Sequence, residues 1–221
     1  MFSEFYQSCY YGALFFAACA SLLLFYKADP AFRWLGLLVI ITLLSECTAK
    51  YIGNRFSNNS IVYHIFTPIE YFFYAIIFSR FFKHKKWNAF LISSVVLLVL
   101  LEFLNAKYLQ PLQVDNTNTM MLENILLVFL SLMLFVNIRT SYNSGNILLE
   151  GVFWFNSIVL IYYTFNILIT GFQGLKVYQF KDPPMIIFDI NLLLSALLYI
   201  IYAIAIILNV VHKRKPLIVH E

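Results

Sequence analysis

Glu70 stands two residues after Pro68 in the run Tyr63-His64-Ile65-Phe66-Thr67-Pro68-Ile69-Glu70-Tyr71-Phe72, where every neighbour but His64 is apolar or uncharged. A carboxyl group placed so could exchange a proton or hold a donor-bearing ligand, because an apolar setting shifts its acidity and sharpens its interactions. Others lie in comparable runs. Thr42 and Glu46 form one turn of a stripe. Tyr63, Thr67, Glu70 and Tyr74 recur at intervals of four, three and four, and so share one helix face. Asn156, Tyr163, Asn166 and Thr170 do the same at seven, three and four, and Asn191, Ser195 and Tyr202 form a further stripe. His64 sits one turn before Pro68. Proline has no N–H to offer the His64 carbonyl, so a bend is expected there, with an imidazole beside a freed carbonyl.

The segments that carry these residues are long and apolar. Hydrophobic residues make up 62% of the chain and charged residues 12%, about half the fraction usual for a soluble domain. Mean hydropathy is +0.79. A helix that crosses a bilayer needs about 20 mostly apolar residues, and seven such stretches are expected at 10–26, 34–52, 61–82, 87–104, 120–138, 147–170 and 185–211. Helices are expected over barrel strands because the runs are unbroken and lack period-two alternation. The fold expected is a single seven-helix transmembrane bundle over residues 1–221, with no room for a soluble catalytic domain.

Lys and Arg divide unevenly between the connecting segments. Lys27, Arg33, Arg80, Lys83, Lys85, Lys86, Arg139, Lys213, Arg214 and Lys215 fall on one side. Lys50, Arg55, Lys107, Lys176 and Lys181 fall on the other. The richer side is expected in the cytoplasm, which puts the N-terminus outside and the C-terminus inside, a receptor-like arrangement. The basic runs anchor spans at the membrane surface, and a net charge of +4 is no signal for nucleic acid. MFSEFYQSCY lacks the basic start of a cleaved signal and reads as the beginning of the first span.

With the chain so oriented, Glu46 lies twelve residues after Trp34, in the outer half of its span, and Glu70 lies near the midplane or slightly above it. Glu102, Glu123 and Asp189 are expected at the outer interface, and His64 in the outer headgroup zone. Glu150 stands apart, at a helix start on the inner side, where the dipole suits it. Glu46 can pair with Lys50 at i, i+4. Polar side chains at membrane depth face a bundle interior or a wet cavity. An outward-facing polar pocket is therefore expected between spans two, three, six and seven. Its candidate ligand residues are Glu70, His64, Thr67, Tyr63, Tyr74, Glu46, Asn156, Tyr163, Asn166 and Asn191. Interhelical hydrogen bonding explains the asparagines equally well.

No metal or cofactor is expected. His84, His212 and His220 lie on the inner side, away from His64, and Cys9, Cys19 and Cys47 show no metal or disulfide spacing. Phosphate-loop, GxSxG and HExxH motifs are absent, and the last span has no lysine in its core for a retinal Schiff base. Ala13, Ala17 and Ser21, four apart, could seat another helix.

The segment 63–72, with Phe153, Trp154, Phe155, Asn156 and Ser157 followed by Tyr162 and Tyr163, and with Ile190-Asn191 opening the last span, resembles small seven-span inner-membrane proteins of Bacteroidota that read roughly "YHIYTPIEF". The resemblance implies a bacterial inner-membrane location and no particular activity. Pro68-Ile69-Glu70 is also similar, more weakly, to the Pro-x-Glu-Glu motif of lycopene cyclase-type membrane proteins, with Tyr71 in place of the second acid. Three functional classes stay open. The first is a module that senses a small molecule or lipid and signals through a cytoplasmic or intramembrane protein partner. The second is a small carrier or scramblase, although seven glycines are few for broken helices. The third is an intramembrane enzyme with Glu70 as general acid.

Overall fold

The computed structural model describes residues 2–82, 85–141, 147–178 and 185–212. Lys83, His84, Lys181, Lys213, Arg214, Lys215 and His220, with the connections 142–146 and 181–184, lie outside the described residues. Seven helices follow one another: α1 Phe2–Leu24, α2 Pro30–Phe56, α3 Ser60–Phe81, α4 Lys85–Tyr108, α5 Thr117–Ser141, α6 Gly151–Tyr178 and α7 Met185–Val211, with a short 3₁₀ turn at Ile147–Leu149. Among the described residues there is no strand. Each helix is long and apolar enough to cross a membrane, from a mean hydropathy of 1.4 in α1 to 2.5 in α7. The protein is thus a multi-pass helical membrane protein.

Several helices outrun the spans expected from hydropathy. α1 begins at Phe2 rather than 10, α2 gains four residues at each end, and α4 gains two at its start and four at its end. The apolar window measures hydrocarbon thickness, whereas the backbone goes on hydrogen-bonding into the headgroup zone. α6 errs the other way at its start. The apolar residues 147–149 form the 3₁₀ turn, and the helix opens at Gly151.

The helices close into a ring. α1 packs on α2, α2 on α3, α3 on α5, α5 on α6, α6 on α7, and α7 returns to α1. α4 lies outside this ring, against α3 and α5. It turns Ile92, Val96, Leu100 and Phe103 outward, as a lipid-facing surface should. The small-residue stripe of α1 is buried within the same chain, and at Ser21 it meets α2: a Cβ built on Gly36 would lie 3.1 Å from the Ser21 Cβ. Gly151 lets α6 start against α7, because a Cβ there would run into the Ala205 carbonyl. At the same end, Asn209 of α7 and Asp29 ahead of α2 bond reciprocally, Asp29 N–H to Asn209 Oδ1 and Asn209 Nδ2 to Asp29 Oδ2, both at 2.9 Å. α3 continues helical on both sides of Pro68.

The middle of the ring is filled by aromatic side chains. Phe155 of α6 is fully buried, and its ring packs 5.8–6.5 Å, centroid to centroid, from those of Tyr74, Phe78, Phe81 and Tyr202. The hydroxyls of Tyr74 and Tyr202 are hydrogen-bonded across the interior. This plug separates the half of the bundle where α1 begins from the half where α1 ends.

Candidate functional site

Above the plug, on the side where α1 begins, lies a cavity of about 410 Å³. Every ring helix contributes to it and α4 does not. α3 supplies Tyr63, Thr67 and Glu70, successive positions of its polar stripe, so that Glu70 sits ten residues, about 15 Å, below the helix start. α2 adds Thr42 and Glu46; α6 adds Tyr162, Tyr163 and Asn166; α7 adds Asn191, Ser195 and Tyr199. The exposed residues Gln7, Asp115 and Phe188 are at its mouth.

Seven of the ten candidate residues line this cavity: Glu70, Thr67, Tyr63, Glu46, Tyr163, Asn166 and Asn191. Tyr163 donates its hydroxyl proton to Glu70 Oε1 at 2.9 Å, and its ring stands edge-on to Tyr74 at 5.5 Å. Tyr162 and Ser195 share a 3.2 Å hydrogen bond. Thr42 and Thr67 donate to carbonyls one turn back in their own helices, those of Leu38 and Tyr63, both at 2.9 Å.

Three candidates are placed elsewhere. Tyr74 shares the α3 face but lies one turn deeper than Glu70, where Phe155 and Tyr202 meet it and close the space. Asn156 lies at the level of the plug, next to Phe155, and donates from Nδ2 to the Ser131 carbonyl at 3.0 Å, an interhelical bond between α6 and α5. His64 points away from the ring toward α4, because it stands one residue, about 100°, around the helix from Tyr63 and about 120° from Glu70.

His64 instead anchors a buried polar cluster. Its Nε2 donates to the Val114 carbonyl at 2.8 Å, which fixes where that proton is. Its Nδ1 lies 2.5 Å from Glu102 Oε1, a separation that requires one proton between the two atoms. Thr119 donates to Glu102 Oε2, and Asn116 Nδ2 reaches Thr67 Oγ1 at 3.0 Å. A second knot holds the same connection: Gln110, fully buried, takes hydrogen bonds from Asn105 and the Asn118 N–H, and donates to Thr117 at 2.7 Å. Together these bonds fasten the α4–α5 connection over α3 and set Asp115 and Asn116 at the cavity edge.

Glu102 and Glu123, expected at the interface, are both buried. Glu102 is drawn in by His64. Glu123 lines the cavity from α5, with its Oε1 shielded and without a hydrogen-bond partner. Asp189 is half-buried and does not line the cavity. Glu46 does not engage Lys50, whose ammonium lies over the Tyr11 ring, 5.1 Å from its centroid. The residues missed by sequence reasoning come from α1 (Tyr10, Tyr11), α5 (Glu123, Asn124) and the connection at 115–116. Tyrosine pairs near a span end read as an interfacial belt, and a loop residue carries no periodic signal. Among the described residues, no three His, Cys, Asp or Glu side chains are grouped to hold a metal ion.

The fold and cavity define a helical, multi-pass membrane protein with a polar, tyrosine-rich chamber in one half of its bundle. No family model matches the chain, and no curated protein or solved structure shows significant similarity to it.

Proposed function

We propose that this protein is a membrane-embedded sensing module that binds a small molecule in the chamber above the aromatic plug. The observation that carries the reading is the 410 Å³ cavity itself, polar along its wall and contributed to by all six ring helices. That volume lies within the range of small-molecule sites, about 300–1,000 Å³. An occupant touching every ring helix favours whichever helix arrangement fits it best, and so biases the packing of the whole ring. The change is read by a protein partner at the opposite face or within the membrane. The excess of Lys and Arg on the plug side of the chain supports a chamber that opens away from the cytoplasm. The likeness to inner-membrane proteins of Bacteroidota supports a bacterial inner-membrane setting. The packed rings around Phe155 favour binding over conduction, because the chamber ends blindly on them.

The test is a thermal-stability screen of the full chain in lipid nanodiscs against a fractionated small-molecule library. A ligand present at one hundred times its Kd stabilises by about 2.7 kcal/mol. Tyr162→Trp, which enlarges a wall residue, should abolish that shift. A wild-type protein that no fraction stabilises would refute the reading. Accumulation of the same ligand inside sealed vesicles would replace sensing with transport.

A further inference from the structure

The chamber's chemistry is one-sided. Among the described residues, Glu46, Glu70 and Glu123 line its wall and Asp115 its mouth, while no Lys, Arg or His lines it. A carboxylate at membrane depth without a countercharge is costly, and such groups are retained where something positive or donor-bearing meets them. Glu123 is the sharpest case. It is 3% exposed, lines the cavity, and its Oε1 has no partner in the protein.

Two further buried atoms around the chamber share that condition: Asn116 Oδ1 and Asn191 Oδ1. All three are acceptors. The Asn116 assignment is fixed by its amide nitrogen, which already donates to Thr67 and to the Tyr63 carbonyl. Three donors of the wall are already committed: Tyr163 to Glu70, Thr42 and Thr67 to their own backbones. What complements those three oxygens brings N–H or O–H donors.

The aromatic lining points the same way. The rings of Tyr10, Tyr11, Tyr63, Tyr162 and Tyr199 border the space. Faces of aromatic rings attract cations within about 6 Å. At Tyr11 a cation already occupies such a face, since the Lys50 ammonium stands 5.1 Å from the ring centroid.

We infer that the ligand class of this chamber is a protonated organic amine, its N–H groups turned to Glu123 and the two asparagine oxygens and its body laid against the tyrosine rings. A bare metal ion fits poorly, because the described carboxyls are spread around the wall rather than gathered at one point. A quaternary ammonium would satisfy the rings but leave the three acceptors unmet. The inference rests on the reading of the chamber as a ligand site, and narrows it.

The experiment uses the full chain in nanodiscs of neutral lipid, titrated calorimetrically with four probes: 2-phenylethylamine, 1,4-diaminobutane, 2-phenylethanol and phenylacetate. At least one of the two amines should bind saturably. 2-Phenylethanol, the neutral counterpart in shape of the first amine, should bind at least tenfold more weakly, and phenylacetate not measurably. Glu123→Gln keeps the side chain's shape and removes its charge, and should weaken the amine about tenfold or more, the usual weight of a hydrogen bond to a charged group. Equal binding of the alcohol and the amine would overturn the amine assignment and leave the chamber a ligand site. So would binding of phenylacetate alone, or silence from both amines while a library fraction stabilises the protein. Silence from every probe and every library fraction would overturn both readings. The wild-type comparison stands whether or not the variant folds.

Discussion

Replacing His64 by alanine should destabilise the protein more than any comparable change on the surface of α3. The substitution removes two hydrogen bonds, a part-buried one from Nε2–H to the Val114 carbonyl and a buried one between Nδ1 and Glu102. It also strands Glu102, which Thr119 alone then satisfies well. Losing a neutral hydrogen bond costs about 1 kcal/mol and one to a charged group about 1.5–3 kcal/mol. Breaking a buried pair from one side costs about 3–5 kcal/mol. The loss should therefore be about 3–5 kcal/mol, and at about 2–4 °C per kcal/mol for a chain of this size a 3 kcal/mol loss lowers Tm by about 6–12 °C. A cycle of His64→Ala, Glu102→Ala and the double variant, followed by unfolding in a detergent titration, isolates the pair. The double variant should fall short of the summed singles by about 2 kcal/mol, within the range for residues in one network. Amide exchange at Val114 and Asp115 should accelerate in parallel, because the α4–α5 connection loses its central fastening. Strictly additive singles, or unchanged exchange in that connection, would refute the clamp as described.

Two other substitutions probe the frame around the chamber. Gly151→Ala should destabilise by about 1–3 kcal/mol, the range for overpacking, since its methyl group meets the Ala205 carbonyl and α6 must move away from α7; Tm reads this directly. Tyr74→Phe and Tyr202→Phe should each cost about 1–2 kcal/mol by leaving one buried hydroxyl alone, whereas the double variant should cost less than their sum, as measured in the same unfolding assay.

The helices could be read from the sequence because bilayer thickness imposes a minimum apolar run, and this chain meets it seven times. Their ends could not, since Phe2 and the residues around it form backbone hydrogen bonds that hydropathy does not register. On α3, Tyr63, Thr67 and Glu70 of the polar stripe share the chamber. Periodicity says which way a side chain points, however, not how far down the space extends. Tyr74 lies on that face and is closed off by Phe155, a residue from another helix. His64 and Glu102 stand 38 positions apart, and nothing local to either announces the other. Gln110 reads as an ordinary loop glutamine, yet it is the buried hub of the connection because Asn105, Thr117 and Asn118 converge on it. The polar residues of a membrane interior are legible as a set, but their partnerships follow from how the ring closes.

α1 and α7 lie side by side, with the ring of Tyr10 tilted against that of Tyr199 at 5.8 Å, centroid to centroid. During synthesis at about 5–20 residues per second, α1 therefore waits roughly 10–40 s for its neighbour to leave the ribosome. Until then α1 packs on α2 alone, and the chamber has a missing wall. Docking of α7 between α1 and α6 then closes the ring and supplies that wall.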